Sequence, residues 1–264
     1  MEKIKDIKLY LFDMDGTLYI GNQLYSFTKE LLKTIKENGC QYMYMTNNSS
    51  KSVKDYIIKL NKLGIEATED EFITSANATI YYLKNNYPNS KFYVCGTKSL
   101  IDEISSSGLQ ITNNLDEVDC IVIGNDTELT FKKLHDISYL LCTRDLPYIA
   151  TNPDYVCPTE FGSVPDCGSF CDMIFNATKK RPIFIGKPEP IMPILAMEKT
   201  GINKENTAVV GDRIYTDIKS GINAGCVSIL VMSGETTLEI LENSIDKPDY
   251  VFESAETILD IIKK

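Results

Sequence analysis

Two carboxylates two residues apart, Asp13 and Asp15, stand in the run Asp13-Met14-Asp15-Gly16-Thr17, directly after the apolar stretch Leu9-Tyr10-Leu11-Phe12. A short apolar run closed by such a turn reads as a buried strand. In an open α/β sheet, ligands bind beyond the carboxyl ends of the strands, so both acids are delivered where a substrate can reach them. Asp13 can attack phosphorus as a carboxylate nucleophile, giving an acyl phosphate that divides one difficult displacement into two easier ones. Asp15 can protonate the departing oxygen and later deprotonate the attacking water. Two acids beside a phosphate crowd three sources of negative charge together, a situation that Mg²⁺ would relieve. Gly16 lets the backbone turn sharply, and Thr17 can hold that turn by hydrogen bonding. An acidic surface turn has the same composition, so the other segments of the chain decide.

Three of them bear on the choice. Gln41-Tyr42-Met43-Tyr44-Met45 reads as a second strand and ends in Thr46-Asn47-Asn48-Ser49-Ser50, a hydroxyl and amide cluster that opens a helix near Ser52. Thr46, Asn47 and the N–H groups at that helix start can grip an anion; taken alone the cluster is an ordinary helix cap. Phe184-Ile185-Gly186-Lys187-Pro188 places one lysine at the end of a short apolar run, where its charge can balance Asp13 and a phosphoryl group. Thr207-Ala208-Val209-Val210-Gly211-Asp212-Arg213 is another strand ending in an acid, with Asp217 one helical turn beyond. Asp212 is the obvious second carboxylate for a hard cation. Found together in this order, each after a strand, the segments outweigh the surface-turn reading.

This ordered set resembles the haloacid dehalogenase-like superfamily of aspartyl-nucleophile phosphotransferases, over nearly the whole chain. The resemblance implies that Asp13 is the nucleophile, Asp15 the general acid/base, and Thr46 and Lys187 the phosphate-binding pair, with Asn47 beside them. It implies Mg²⁺ held by Asp13, by the backbone carbonyl of Asp15 and by Asp212, with Asp217 reaching the metal directly or through water. A narrower likeness comes from Thr151-Asn152-Pro153-Asp154, Pro158, Gly162, Pro165, Gly168-Ser169, Ala177-Thr178 and Arg181-Pro182 leading into Ile185-Gly186-Lys187-Pro188. This set looks like subfamily IIA, the NagD-type or 4-nitrophenylphosphatase-like branch. That branch carries a large type-2 cap between the phosphate-binding Thr and the Lys. The family usually has glycine where Lys179 and Lys180 follow Ala177-Thr178, which puts the local turn in question. By the same likeness the loop after Asp154 overhangs the site, making Tyr155, Val156 and Cys157 candidates for leaving-group contacts. Caps of this kind can pair, which leaves a homodimer through the cap open.

The spacing alone makes the same architectural point. Thr46 and Lys187 lie too far apart for one βαβ step, and the stretch between them alternates as a domain does. Phe92–Cys95, Cys120–Ile123 and Tyr148–Ala150 read as short strands, with helices predicted over 99–106 and 131–141. An inserted α/β cap over 80–182 is expected, around which 1–79 and 183–264 form a discontinuous, Rossmann-like, doubly wound parallel sheet. Helices over 28–38 and 53–63 end at Gly39 and Gly64, as C-terminal glycines require.

Composition fits a soluble enzyme. With 264 residues, 43% of them hydrophobic, the chain can bury about three-quarters of its unfolded surface. The N-terminal residues lack an apolar stretch and no run approaches the roughly 20 apolar residues of a membrane span, so the cytoplasm is expected and a membrane partner is not. The net charge of −10 and the lack of a basic stripe argue against nucleic acid. Eight cysteines in such a chain are expected as thiols. Cys40, Cys95, Cys120, Cys142 and Cys226 lie in or beside apolar runs and are expected in cores; Cys157, Cys167 and Cys171 cluster but lack a fourth close ligand and a nearby His for zinc. The single histidine, His135, sits in a helical pattern, which excludes His-dependent hydrolase triads. The tyrosines are expected to pack at half-buried positions.

The expectation is therefore a Mg²⁺-dependent phosphomonoester hydrolase acting on a small phosphorylated metabolite, such as a nucleotide or sugar phosphate, with 4-nitrophenyl phosphate as an artificial substrate. A phosphotransferase or mutase would use the same intermediate, and a non-catalytic phosphometabolite-binding protein could keep the same fold.

Overall fold

The computed structural model describes residues 2–159 and 161–263. The chain divides into two compact units, one of residues 1–46, 57–73 and 187–264, the other of 47–56 and 74–186.

The first unit is built on a six-stranded sheet. Its strands lie in the order Tyr250–Phe252, Val227–Val231, Thr207–Gly211, Leu9–Phe12, Gln41–Thr46, Phe72–Thr74. Counted along the chain within this sheet, that is the order 3-2-1-4-5-6 of a Rossmann-like fold, read from the other edge. Leu9–Phe12 pairs in parallel with Gln41–Thr46 on one side and Thr207–Gly211 on the other. Leu9–Phe12 and Thr207–Gly211 are buried throughout, as strands covered on both faces must be. The sequence order reverses between these two strands, and ligands bind such sheets at that reversal.

The helices follow from their stripes and ends. Thr28–Glu37 buries Leu31, Leu32 and Ile35, spaced for one face, and packs against Glu256–Ile262. Gly39 just beyond it takes a positive φ of 71°, a conformation that costs glycine nothing. Val53–Lys62 begins at Ser52, whose N–H donates to Asp55 Oδ2 at 2.9 Å while Asp55 N–H donates to Ser52 Oγ at 3.3 Å, a reciprocal cap.

The second unit carries its own parallel sheet, in the order Ile183–Phe184, Tyr148–Ala150, Cys120–Ile123, Lys91–Cys95, Gln110–Ile111. Ile121, Ile123, Ile137, Leu140 and Ile174 are among its buried core. Helices Lys98–Ser106 and Phe131–Thr143 are opened by Thr97 and Thr130, each accepting a backbone N–H at 3.3 Å. An antiparallel hairpin, Val156–Thr159 with Gly162–Pro165, follows Asp154. Ile183–Phe184 pairs with Tyr148–Ala150, so the chain leaves this unit a few residues later than the apolar pattern indicates.

All eight cysteines are free. Two depart from expectation: Cys40, just before the strand Gln41–Thr46, is only partly buried, and Cys142 is exposed, because the buried stripe of its helix runs through Ile137, Leu140 and Leu141 and leaves it to one side. Among the described residues no helix is long and apolar enough to cross a membrane.

Candidate active site

The end of Leu9–Phe12 fixes Asp13. Phe12 stands opposite Val210 on one side and Tyr44 on the other, and the Asp13 N–H continues the ladder by donating to the Val210 carbonyl at 2.8 Å. Asp13 therefore emerges between Gly211-Asp212 and Met45-Thr46. Thr46 closes its strand and is buried.

Lys187 ties these strand ends together. Its ammonium donates to Asp13 Oδ1 at 2.7 Å, Asp217 Oδ1 at 2.6 Å and the Met45 carbonyl at 3.1 Å. Its side chain is only 3% exposed. A lysine so deeply buried persists only when paired.

Asp217 sits on Ile214–Ile218, a turn wound wider than an α-helix. Its Oδ2 accepts the Arg213 N–H at 3.0 Å. Asp212 is enclosed: its Oδ2 accepts the Glu235 N–H at 2.7 Å and its Oδ1 accepts the Thr17 hydroxyl at 3.4 Å. The Thr17 hydroxyl thus reaches across to Asp212, while its N–H closes the turn on the Met14 carbonyl at 3.3 Å. Gly16 and Gly234 press against the Asp212 carboxylate so closely that a Cβ at either would collide with it.

Asp13, Asp212 and Asp217 each offer an oxygen, all within 4.8 Å of one another. Burial pushes the Asp13 carboxyl up to about 8; Asp217 and Asp212 add to the rise, against the pull of Lys187. Burial, with Asp217 beside it, raises Asp212 to about 6 despite the Glu235 N–H and the positive charges of Arg213 and Lys187. For Lys187 burial works against the charge, but Asp13 and Asp217 outweigh it and hold the ammonium above its ordinary value. A set of hard oxygen donors this close together fits a divalent cation such as Mg²⁺ or Ca²⁺.

Asp15 is placed differently. Its side chain is 55% exposed, and its Oδ1 accepts the Gly21 N–H at 3.3 Å. Asn47, Tyr155, Val156 and Cys157 belong to the second unit. There Asn47 Nδ2 donates to Asp154 Oδ2 at 3.1 Å and its carbonyl accepts the Ser75 hydroxyl at 2.6 Å. Tyr155 and Val156 are exposed and lead into the hairpin, with Cys157 partly covered. His135 is exposed on the helix Phe131–Thr143.

Sequence reasoning missed the supports of Asp212 and the role of Met45. The Ser233-Gly234-Glu235-Thr236 run after the strand Val227–Val231 was the available signal. Ser233 Oγ donates to the Gly16 carbonyl at 2.7 Å, and Thr236 Oγ1 accepts the Ile214 N–H at 3.2 Å. Arg213 forms an ion pair with Glu235 at 2.8 Å, on the flank of the cluster.

A Rossmann-like sheet with a second α/β unit inserted in the chain, and a lysine held between aspartates at the strand-order reversal, is an arrangement that can serve the hydrolysis of phosphate esters. Comparison with known proteins agrees. The pattern of haloacid dehalogenase-like hydrolases matches residues 10–110, and a second pattern of that family, HAD-hydrolase-like, matches 184–258. An acid sugar phosphatase of Staphylococcus aureus is 36% identical over 261 residues, 99% of this chain and 100% of that one. The crystal structure of a 4-nitrophenylphosphatase from Thermotoga maritima superposes with a TM-score of 0.92 at 37% identity, covering 99% of this chain and 98% of that one. NagD from E. coli K-12 gives a TM-score of 0.86 at 30% identity, over 94% and 96% of the two chains.

The chain belongs to the haloacid dehalogenase-like hydrolase family, as a NagD-type member, and is a phosphatase.

Proposed function

We propose that the protein is a Mg²⁺-dependent phosphomonoester hydrolase that turns over through an aspartyl-phosphate on Asp13, with small phosphorylated metabolites as substrates. The observation that carries this reading is the Lys187 clamp, which holds Asp13 Oδ1 at 2.7 Å beside Asp212 and Asp217. Mg²⁺ would be held by Asp13, the backbone carbonyl of Asp15, Asp212 and Asp217, the last directly or through water, and when bound it supplies charge neutralisation for the substrate phosphate. Asp13 attacks phosphorus; Asp15 gives a proton to the leaving oxygen and takes one from the water that cleaves the acyl phosphate. Thr46 and Asn47, at the end of the second strand, and Lys187 hold the phosphoryl oxygens. Tyr155, Val156 and Cys157 read the leaving group. The names of the relatives, acid sugar phosphatase and 4-nitrophenylphosphatase, put sugar phosphates first among the physiological candidates, ahead of nucleotides.

The test is phosphate release from a panel of sugar phosphates, nucleotides and 4-nitrophenyl phosphate, with Mg²⁺ or EDTA, for wild type and Asp13→Asn. Release that needs both Mg²⁺ and Asp13 is expected. Turnover that survives EDTA or persists in Asp13→Asn, with deamidation excluded, would overturn the reading.

A further inference from the structure

Asp15 makes its contacts on the side of the turn that follows it. Its Oδ1 accepts the Gly21 N–H at 3.3 Å, and its Oδ2 faces the Lys59 ammonium at 4.0 Å. The same ammonium stands 4.0 Å from the centroid of the Tyr19 ring, within the range of a cation–π contact. Tyr19 is itself fixed: it is 2% exposed, its carbonyl accepts the Gly16 N–H at 2.7 Å, and its N–H donates to the Met14 carbonyl at 3.3 Å. Its short strand, Tyr19–Ile20, pairs with Gln23–Leu24. The Asp15 carboxyl thus lies between a braced turn and a lysine presented by the helix Val53–Lys62.

Lys59 is not an ordinary surface lysine. Its side chain is 27% exposed, against 72% for Lys33. Asp55, one turn earlier on the same helix and the usual helical partner for Lys59, gives its Oδ2 to the Ser52 N–H and hydroxyl at 2.9 and 2.8 Å. The ion pair with Asp15, at 4.0 Å and with Asp15 more than half exposed, contributes little to folding by itself.

We propose that Lys59 is a positioning residue for proton transfer by Asp15, and that it governs which leaving groups the enzyme can expel. This rests on the reading of Asp15 as general acid given above. As the Asp13 oxygen bonds to phosphorus and the bond from phosphorus to the leaving oxygen breaks, the Asp15 proton passes to that oxygen. Asp15 becomes a carboxylate at that moment, and Lys59, already in place, faces the charge that develops. Tyr19 keeps the ammonium from drifting toward solvent. The demand for this proton depends on the ester. A sugar alkoxide cannot depart without it, whereas 4-nitrophenolate is a stable anion and leaves unprotonated.

The experiment compares kcat and KM on glucose 6-phosphate, an alkyl ester, and on 4-nitrophenyl phosphate, with Mg²⁺ present. The variants are Lys59→Met, Lys59→Arg and Asp15→Asn. Methionine keeps the stem and the helix propensity. Lys59→Met is expected to lower kcat on the alkyl ester roughly ten- to hundredfold, part of the about 10²- to 10⁴-fold that a positioned acid supplies. The loss on the aryl ester should be at least about fivefold smaller, KM should stay level for both, and Lys59→Arg should recover most of the difference. Equal losses on the two esters, an effect on KM alone, or no loss on the alkyl ester would overturn the proposal. Asp15→Asn separates this from the reading beneath it. If Asp15→Asn discriminates between the esters and Lys59→Met does not, the role of Lys59 fails alone; if Asp15→Asn does not discriminate either, the general-acid assignment fails and takes the proposal with it.

Discussion

Lys187 Nζ donates to Asp13 Oδ1 at 2.7 Å although 174 positions separate the two residues in the chain. The same ammonium also donates to Asp217 and the Met45 carbonyl, so it ties three separate segments together. Lys187→Met is expected to lower kcat by about 10²- to 10³-fold or more, the usual loss when a preorganised charge is removed. Lys187→Arg should not restore it, because a planar fork cannot reproduce three divergent bonds in a site this closed. Steady-state kinetics on 4-nitrophenyl phosphate decides; an active Arg variant would mean that only the charge matters.

The crowded carboxylates predict a pH-dependent stability of the metal-free protein. A carboxyl whose folded pKa lies above its ordinary 3.8 stabilises the fold while protonated. That contribution is complete in acid below the ordinary value. It is lost as the pH rises through about 6 for Asp212 and about 8 for Asp13. In EDTA, these two groups should pull the melting temperature down between about pH 4 and pH 8. Asp212→Asn should flatten the part of that fall near pH 6, and Mg²⁺ should raise the melting temperature more at pH 8 than at pH 5. Scanning calorimetry of wild type and variant across this range is the check; parallel curves would show that the site does not govern the slope.

Much of this site was legible because strands that end in chemistry are short apolar runs closed by polar turns. Cys120–Ile123 and Tyr148–Ala150 lie where the pattern places them, and Gly39 and Gly64 both take the positive φ that a helix end asks for. Three things were not legible. Ile183–Phe184 is too short to declare which sheet it joins, and it completes the second one, so the chain returns to the first unit at Lys187. The segment 47–56 groups with the second unit although it follows the strand Gln41–Thr46 directly. The enclosure of Asp212 is made largely by a backbone N–H and two glycines, with the Thr17 hydroxyl the one side chain that reaches it at 3.4 Å.

That enclosure is testable through Gly234. A Cβ there would collide with the Asp212 carboxylate. Gly234→Ala should cost about 1–3 kcal/mol of stability, as overpacking does. It should also weaken Mg²⁺ binding about 10- to 100-fold, as the loss of a ligand's orientation does. Calorimetric titration of Mg²⁺ into the folded variant reads the second effect directly. An affinity equal to wild type would show that Asp212 can shift without consequence.

Lys179 supplies a prediction away from the site. It follows the helix Cys167–Thr178 with φ 59° and ψ 18°, the left-handed conformation in which glycine is the usual residue. Side chains pay about 1–2 kcal/mol for that region. Part of this is offset here, since Lys179 Nζ donates to the Asn176 carbonyl at 3.1 Å and stands 5.5 Å from the Phe175 ring centroid. Glycine would remove the strain and also those contacts, and it would make the unfolded chain more flexible. Its N–H would keep the bond to the Phe175 carbonyl, 2.8 Å in length, because only the side chain changes. The balance favours Lys179→Gly by about 0.5–1 kcal/mol, or about 1–3 °C in melting temperature for a chain of this size. Kinetic constants should not change, since the residue lies outside the phosphate-binding machinery. A lower melting temperature would mean that the contacts of the ammonium outweigh the backbone strain.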